Sequence, residues 1–374
     1  MQQPVASAVE IDALAAGQAW FGGLHARGVI EVSDDPAALD AGGWWAVWIT
    51  FEGECRFWRF AAVEETPLPA GRPWRGPFAG GWRSSLDRAA YQAGVSEIRR
   101  RIHEGDVYQV NLCRVLTADL PKHEDDEVNS PWGLAARLAA GNPAPYAGVI
   151  DVPAVAGVPR SRLVCASPEL FLERDGDRVR SGPIKGTGAT AADLLPKDEA
   201  ENVMIVDLVR NDLQRVSRSG TVEVAALLEV QQHPGLVHLV STVQSRLKPD
   251  VGWADLFAAT LPPGSVSGAP KSTALRAIAD LEPVPRGPYC GAIGYVDADR
   301  GQAQMAVGIR TFWWQDEGLC FGTGAGITWG SDPEREWAET ELKAARLIGL
   351  ASDHPVGHSP NQVSSRATAA SRSR

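Results

Sequence analysis

The chain has 374 residues, of which 44% are hydrophobic and 22% charged, and its formal net charge is −10. These proportions are typical of a soluble globular protein with a large core, and the acidic balance excludes nucleic acid as a partner because like charges repel. No stretch approaches the roughly 18 apolar residues of a membrane span, and no basic start followed by an apolar run indicates a signal peptide. We therefore expect a cytoplasmic protein without a membrane anchor.

The first part of the chain has the composition of β-strands. Residues 20–62 contain GGWWAVWITFEG and CRFWRFAAVE, which are rich in aromatic and β-branched residues. A Pro/Gly-rich stretch at 67–82 follows, which is either a boundary or a structured loop. We divide the chain into a strand-rich segment at 1–84 packed on the core, a core at 85–351, and a tail at 352–374 whose Ser/Arg/Ala-rich composition predicts disorder.

Helices and strands then follow in separate runs. Apolar spacing predicts a helix from Ser85 to Glu104, ended by Gly105, and alternation predicts a strand in VYQVNLCRVLTADL. Further helices are predicted at 197–213, 269–282 and 331–350, and hairpin-like strand series lie between them. Runs of strands that do not alternate strictly with helices predict an α+β fold with antiparallel sheets.

Five cysteines are scattered through the sequence without a Cys-x-x-Cys pair. This distribution argues against a disulfide framework or a zinc site and fits a reducing compartment. None lies in the Gly-x-Cys-x-Gly setting expected of an amidotransferase nucleophile. We therefore expect no amidotransferase activity from the chain itself.

Two predicted helices each present two carboxylates three residues apart. Asp198 and Glu201 form one pair, and Glu336 and Glu339 form the other. Such pairs share one helix face, and two such faces together would make an oxygen-only site of the kind that Mg²⁺ prefers. For either pair alone, a solvated helix face is the plainer interpretation.

Three glycine-rich segments stand out as predicted loops. GTGAGI at 322–327 could direct backbone N–H groups at an anion, or could be a tight turn. SGPIKGTGA at 181–189 and PPGSVSGAPK at 262–271 are poor in apolar residues and more elaborate than plain connectors. Loops of this kind on a rigid scaffold often carry function.

Four single side chains are candidates for chemistry. Lys185 would need burial or a neighbouring cation to act as a nucleophile, because a free lysine is protonated at pH 7; otherwise it is a solvent-exposed loop residue. Glu169 in SPELF is a candidate general acid or a surface carboxylate. Arg310 lies in an apolar strand and must bond a carboxylate of the protein or of a ligand. His238 lies on an alternating strand, where a histidine is more often structural.

The motifs, taken together and in order, resemble the chorismate-utilising enzymes over residues 85–350. That family includes anthranilate synthase component I, aminodeoxychorismate synthase component I, and the isochorismate and salicylate synthases. The resemblance implies one large domain with two stacked antiparallel β-sheets flanked by helices and an active site between the sheets. The motifs are YQVNL, SPELFL, GPIKGT, DEAENVMIVDLVRNDL, VHLVSTV, PPGSVSGAPK, GAIGY, IRT and GTGAGITWGSDPEREWAET.

The same resemblance implies a set of site residues. Magnesium would be bound directly by Glu201 and Glu339, with Asp198 and Glu336 in support through water. Glu169 would assist loss of the C4 hydroxyl of chorismate, and two residues would flank the ring, His238 and Ser265. One carboxylate of chorismate would be held by a larger group, namely Arg310, Tyr289, the N–H groups of Gly324, Ala325 and Gly326, and Lys343.

Two positions separate the branches of the family. Gln109 stands where isochorismate and salicylate synthases carry the lysine that activates water, and an amide cannot remove that proton. Lys185 stands where anthranilate synthases usually carry alanine, and PIKGT is typical of aminodeoxychorismate synthases. The resemblance implies attack of Lys185 on C2, followed by addition at C4 of ammonia from a glutamine amidotransferase subunit. Amination of anthranilate synthase type and a non-catalytic chorismate-binding subunit are the alternatives.

Overall fold

The computed structural model describes residues 16–70, 73–122, 126–154, 158–188, 190, 192, 194, 196–233 and 236–353. The predicted disordered tail lies outside these residues, except for Ser352 and Asp353. No helix within the described ranges is both long enough and apolar enough to cross a membrane.

The described residues form eighteen strands and six α-helices. The strands are β1 Gln18–Phe21, β2 Leu24–Ser33, β3 Trp44–Ile49, β4 Cys55–Glu65, β5 Arg83–Ser84, β6 Gln109–Asp119, β7 Tyr146–Val152, β8 Ser161–Ser167, β9 Leu170–Asp175, β10 Arg178–Gly182, β11 Ile184–Gly188, β12 Glu223–His233, β13 Leu236–Arg246, β14 Gly268–Ala269, β15 Ala292–Asp297, β16 Gln302–Val307, β17 Thr311–Gln315 and β18 Gly318–Ile327. The helices are α1 Arg88–His103, α2 Pro131–Gly141, α3 Pro196–Gln214, α4 Trp253–Thr260, α5 Lys271–Leu281 and α6 Pro333–Ala351.

The helix ends follow local sequence signals. Asp87 caps the start of α1 by accepting a hydrogen bond from the backbone N–H of Ala90, and Gly105 follows its end with φ +82°. Asp332 caps α6 in the same way, and Pro333 occupies its first position, where no intrahelical N–H bond is lost. The predicted helices at 85–104, 197–213, 269–282 and 331–350 are confirmed.

Every pairing between the described strands is antiparallel, and the strands form one continuous sheet. Its order is β5–β6–β18–β17–β8–β7–β1–β2–β4–β3–β15–β16–β9–β10–β13, with β14 also on β6, and β11 and β12 also on β13. The ring of Phe21 on β1 lies 6.5 Å from Trp44 on β3 and 6.4 Å from Tyr295 on β15. The sheet therefore folds over itself into two stacked layers, and the strands β2 and β4 connect one layer to the other. The α+β class is confirmed.

A cluster of buried side chains fixes α2 and α6 against β17 and β18. It includes Trp132 of α2, Leu347 of α6, Phe312 of β17 and Phe321 of β18, and the two phenylalanine rings lie 4.7 Å apart. Burying a side chain of this size contributes about 1.5–3 kcal/mol. The packing holds the carboxylates of α6 alongside the glycine-rich half of β18.

Two of the three glycine-rich segments are strands, so their prediction as loops was wrong. Ile184–Gly188 pairs with β13, and the segment at 322–327 lies within β18 and pairs with β6. Glycine in a strand often marks close approach of another chain segment, and a Cβ on Gly324 would lie 2.6 Å from the carbonyl oxygen of Leu112. The third segment contains a 3₁₀ turn at Gly264–Val266 and the two-residue strand β14, and the rest of it up to Pro270 is a loop.

Candidate functional site

Lys185 is held inside the protein by α3 and by the 3₁₀ turn. Its Nζ donates to Oε1 of Glu201 at 2.7 Å and to the carbonyl oxygen of Ser265 at 3.1 Å. The side chain of Lys185 is 13% exposed. The alternative of a solvent-exposed loop lysine is therefore wrong.

The charges around Lys185 favour its ammonium form. Burial alone lowers the pKa of Lys185, but the carboxylates of Glu201, Glu169 and Glu339 together hold it above its ordinary value. Lys185 is therefore cationic at neutral pH. The lowered pKa that a nucleophilic amine requires is not supplied by the protein groups alone.

Gln109 is the second group on Glu201. Its Nε2 donates to the same Oε1 atom at 2.5 Å, and the side chain is buried. Because a carboxylate only accepts hydrogen bonds, the amide must turn its NH₂ group to Glu201. The Oε1 of Gln109 is buried and has no hydrogen-bond partner among the described residues. This oxygen is thus left to accept a hydrogen bond from a ligand.

Gly326 borders the contact between these two side chains. A Cβ at this position would lie 2.5 Å from Nε2 of Gln109 and 2.7 Å from Oε1 of Glu201. Non-bonded heavy atoms avoid such distances, so a side chain here would push Gln109 and Glu201 away. Only glycine allows β18 to lie this close to them.

Glu169 lies between β8 and β9 and is buried, with 4% exposure. Burial raises its pKa above the ordinary value, and the hydrogen bond to Ser265 and the charge of Lys185 oppose the rise only in part. A raised pKa keeps a carboxylic acid protonated at higher pH, as a general acid requires. The alternative of a surface carboxylate is wrong.

A cleft of about 340 Å³, a volume that includes open solvent, runs past Glu169. Ser265, Pro183 and Asp212 also line it. Oδ2 of Asp212 accepts a hydrogen bond from Nζ of Lys271 at 2.7 Å. This ion pair was not singled out from the sequence, although Lys271 ends the PPGSVSGAPK motif.

Arg310 contributes a partly buried positive charge. It precedes β17 with φ +52°, and its carbonyl oxygen accepts from the N–H of Ala166. Burial and the nearby Arg346 lower the pKa of Arg310, although a guanidinium stays charged. None of the described carboxylates forms an ion pair with Arg310. Of the two alternatives from the sequence, a ligand carboxylate is therefore the better supported.

One edge of β18 beside α6 is left open by the described strands. β6 pairs with β18 along its whole length, whereas β17 covers only the part up to Phe321. The ring of Tyr289 lies over Gly322, where a Cβ would be 2.0 Å from its Cγ. Nζ of Lys343 donates to the carbonyl oxygen of Gly324 at 3.1 Å and pairs with Glu339 at 2.7 Å.

The direction of the N–H groups on this edge follows from the ladder. Asn111 on β6 stands opposite Gly326 but donates its N–H to the carbonyl of Ser267, away from β18. The two residues therefore form a non-hydrogen-bonded pair, and Gly326 directs its N–H to the open edge. Alternation gives Gly324 the same direction and Ala325 the opposite one. The three predicted N–H donors are thus reduced to two, because Ala325 faces β6.

The four carboxylates predicted to hold magnesium are not gathered in one cluster. Among the described residues, no three side chains of His, Cys, Asp or Glu lie close enough to hold a metal ion. Glu201 and Glu339 are paired instead with Lys185 and Lys343, respectively.

The donor chemistry of this region nevertheless fits a hard cation. The groups are all carboxylates, which are ligands that Mg²⁺ prefers, and the charges of Glu201 and Glu339 both raise the pKa of Lys185. Glu336 is buried on α6, and Asp198 is partly buried in the first turn of α3. The magnesium site stays a prediction.

The two residues predicted to flank the ring are both buried near Lys185. His238 lies on β13 opposite Thr187 of β11, and Ser265 lies in the 3₁₀ turn. Sequence reasoning missed that the carbonyl of Ser265 bonds Lys185. It also missed Arg286, for which the available signal was one charged residue in the otherwise uncharged stretch PVPRGPYCGAIGY.

Comparisons with known proteins are consistent across sequence and structure. A family model described as chorismate binding enzyme matches residues 55–349. The chain is 37% identical over 288 residues to anthranilate synthase component 1 1 of Haloarcula marismortui, which covers 74% of this chain and 56% of that protein. It is 38% identical over 281 residues to aminodeoxychorismate synthase component 1 of Klebsiella aerogenes, which covers 71% and 59%.

Solved structures support the fold. A putative 2,3-dihydroxybenzoate-specific isochorismate synthase from Bacillus anthracis has a TM-score of 0.75 at 22% identity, covering 91% of this chain and 98% of that one. Anthranilate synthase component I from Streptococcus pneumoniae has a TM-score of 0.71 at 23% identity, covering 89% of each chain. The two curated relatives carry different names at nearly equal identity, and the match spans less than two thirds of either.

Proposed function

Since this chain belongs to the chorismate-binding enzyme family, we propose that it is component I of an aminodeoxychorismate synthase. It converts chorismate and ammonia to 4-amino-4-deoxychorismate, a step toward para-aminobenzoate and folate. The observation that carries the proposal is Lys185, whose amine is buried between Glu201 and the carbonyl of Ser265. A buried amine beside the acid Glu169 supplies both groups that displacement of a hydroxyl needs.

The binding of chorismate rests on positive charge and N–H groups at one end of the site. Arg310 offers a guanidinium without a carboxylate partner among the described residues, and a guanidinium binds a carboxylate in a bidentate manner. The N–H groups of Gly324 and Gly326 point to the open edge of β18, and the ring of Tyr289 lies over Gly322 of the same strand. His238 and Ser265 flank the ring of the substrate.

The magnesium ion belongs to the other end of the site. Glu201 and Glu339 would hold it directly, and Asp198 and Glu336 would support it through water. When bound, the ion supplies positive charge for the second carboxylate of chorismate. With the ion bound, Glu201 would offer less negative charge to Lys185, and the pKa of that amine would fall.

Lys185 and Glu169 would carry out the reaction in two displacements. A bond forms between Nζ of Lys185 and C2, the ring double bonds shift, and the C4–O bond breaks. Glu169 gives its proton to the departing hydroxyl, which leaves as water. Ammonia then forms a bond to C4 as the bond between C2 and Nζ breaks, and Glu169 recovers a proton from the new ammonium group.

Anthranilate synthase component I is the second candidate, because relatives with that name match at the same level of identity. The two activities differ in product. Amination at C4 keeps the pyruvyl group on the ring, whereas formation of anthranilate releases pyruvate. Incubation with chorismate, Mg²⁺ and an ammonium salt, followed by mass analysis, tests the proposal: 4-amino-4-deoxychorismate supports it, and anthranilate with free pyruvate contradicts it.

We expect the purified chain to use ammonium salts but not glutamine. No cysteine of the sequence has the setting of an amidotransferase nucleophile, so ammonia from glutamine must come from a partner subunit. Turnover of chorismate is measured with either nitrogen source, before and after a glutamine amidotransferase subunit is added. Glutamine-dependent turnover by the chain alone would show that this expectation is wrong.

Gly326→Ala is expected to lower turnover by about 10- to 100-fold. Its Cβ would overlap Gln109 and Glu201 and push them from their positions, and a misplacement of about 1 Å in an active site can cost about a hundredfold in rate. Gly330→Ala is the matched control, because a Cβ at Gly330 meets nothing within 4 Å. Both variants are compared for turnover of chorismate and for thermal unfolding. Equal turnover in the two would mean that the contact between Gln109 and Glu201 is not needed.

A further inference from the structure

Arg286 and Glu282 form a buried ion pair that has no role in the mechanism above. Nε and Nη2 of Arg286 donate to the two carboxylate oxygens of Glu282 at 2.7 and 2.6 Å. Arg286 is 1% exposed and lies over the ring of Phe51, with its guanidinium carbon 4.1 Å from the ring centroid. Burial removes both ions from water at a large desolvation cost, so the bonds of the pair must be well made.

The remaining donors of Arg286 join two other segments. Nη1 donates to the carbonyl oxygen of Val266 at 2.9 Å, and Nη2 donates to that of Asn111 at 2.7 Å. Oε1 of Glu282 accepts from the N–H of Cys113 at 2.8 Å. The pair is thus bonded to β6 at two points and to the 3₁₀ turn at one.

Each of these segments carries a group of the site. Val266 follows Ser265, whose carbonyl oxygen accepts from Lys185. The strand β6 begins with Gln109, which bonds Glu201. Arg286 is also linked to Tyr289, whose N–H donates to the carbonyl oxygen of Arg286 at 3.3 Å.

We propose that Arg286, held by Glu282, is a positioning residue that fixes the 3₁₀ turn at Gly264–Val266 to β6 and so sets Lys185 opposite Gln109. It touches neither the substrate nor Lys185 and acts through the carbonyl of Ser265. The inference rests on the proposed role of Lys185. The guanidinium suits this task because its donors point in fixed directions within one plane, whereas an ammonium offers three donors from one atom.

The test compares Arg286→Lys with the unmutated protein. Arg286→Lys keeps the charge, but one nitrogen cannot reach Glu282 and both carbonyl oxygens in the same geometry. We expect kcat for consumption of chorismate to fall at least about tenfold, while the Kd for chorismate changes less than kcat does. Amide hydrogen exchange is expected to quicken in residues 264–269. Since consumption of substrate is measured, the result does not depend on which carbon is aminated.

Arg101→Lys is the matched control. Arg101 also bonds two carboxylates, those of Glu97 and Asp280, both at 2.9 Å, and Asp280 lies two residues before Glu282. It contacts none of the site residues, so this variant is expected to keep kcat and the exchange rates of residues 264–269.

Four outcomes would overturn the proposal. The first is folded Arg286→Lys protein with unchanged kcat, and the second is a parallel loss of kcat and affinity in both Arg286→Lys and Arg101→Lys. If Arg286→Lys does not fold, the double variant Arg286→Met with Glu282→Leu is measured, since apolar residues often replace a buried pair without loss of stability. A folded double variant whose kcat is lower by at least about tenfold supports the proposal. Full activity of the double variant overturns it, and so does failure of both Arg286→Lys and the double variant to fold.

Discussion

Lys185→Ala is expected to lose nearly all formation of 4-amino-4-deoxychorismate, by about a thousandfold, while still binding chorismate. An amine held against the ring turns a bimolecular attack into a unimolecular one, an advantage of several kcal/mol, and about 4 kcal/mol corresponds to a thousandfold in rate. Binding should persist because Arg310 and the open edge of β18 do not depend on Lys185. The vacated space would admit ammonia or water to C2, so a trace of C2-substituted product is expected.

Trapping of the covalent intermediate tests the same role directly. Unmutated protein given chorismate and Mg²⁺ without ammonia should carry an adduct whose peptide mass maps to Lys185. Lys122→Ala is the control, because Lys122 is 82% exposed and pairs with Glu317 at the surface. It should keep turnover and the adduct. Full C4 amination by Lys185→Ala would contradict the role of Lys185 as nucleophile, and anthranilate from the unmutated enzyme would contradict the C4 reaction.

The fold of Lys185→Ala has to be checked in the same experiment. Burial tends to raise the pKa of Glu201, and the charge and hydrogen bonds of Lys185, with the bond of Gln109, reverse this and hold it below its ordinary value. Loss of Lys185 therefore raises the pKa of Glu201. The stability that a lowered carboxylate pKa contributes is present above the unfolded pKa and is lost as the pH falls. As the pH is lowered, we therefore expect the free energy of unfolding to fall less in Lys185→Ala than in the unmutated protein. Turnover of the two proteins is best compared near neutral pH.

Glu201→Gln is expected to abolish turnover while the fold is kept. A neutral amide is a poor ligand for Mg²⁺, and the substitution also removes the ion pair with Lys185. Chelation of the unmutated protein should have the same effect and be reversed by added Mg²⁺. A rise of Tm with Mg²⁺, expected for an ion that binds only the folded state, should disappear in Glu201→Gln.

Glu199→Gln is the matched control for this prediction. Glu199 lies in the first turn of α3 near Glu201, but its side chain is exposed. This variant should keep turnover and the rise of Tm with Mg²⁺. Full activity of the unmutated protein in excess chelator would show that the metal is not required.

The sequence alone determined the features that depend on neighbouring residues. Helix α1 was predicted because its apolar spacing and the following Gly105 are local signals, and α6 because Pro333 stands near its start. The α+β class followed from the order of strand-like and helix-like segments. The ordered motifs also predicted that Lys185, Glu169 and Glu201 belong together, and in the structure the amine of Lys185 bonds Glu201 and has its pKa raised by the charge of Glu169.

Only the tertiary structure decided what depends on contacts between distant segments. The glycine-rich segments around Lys185 and Gly326 were predicted as loops, because composition does not record that β13 and β6 supply their hydrogen bonds. The N–H of Ala325 was predicted to donate to a carboxylate of the substrate. The sequence could not exclude this, because the direction of the N–H depends on the register between β18 and β6. Arg286 passed unnoticed in the sequence, since its importance comes from three segments that meet only in the folded chain.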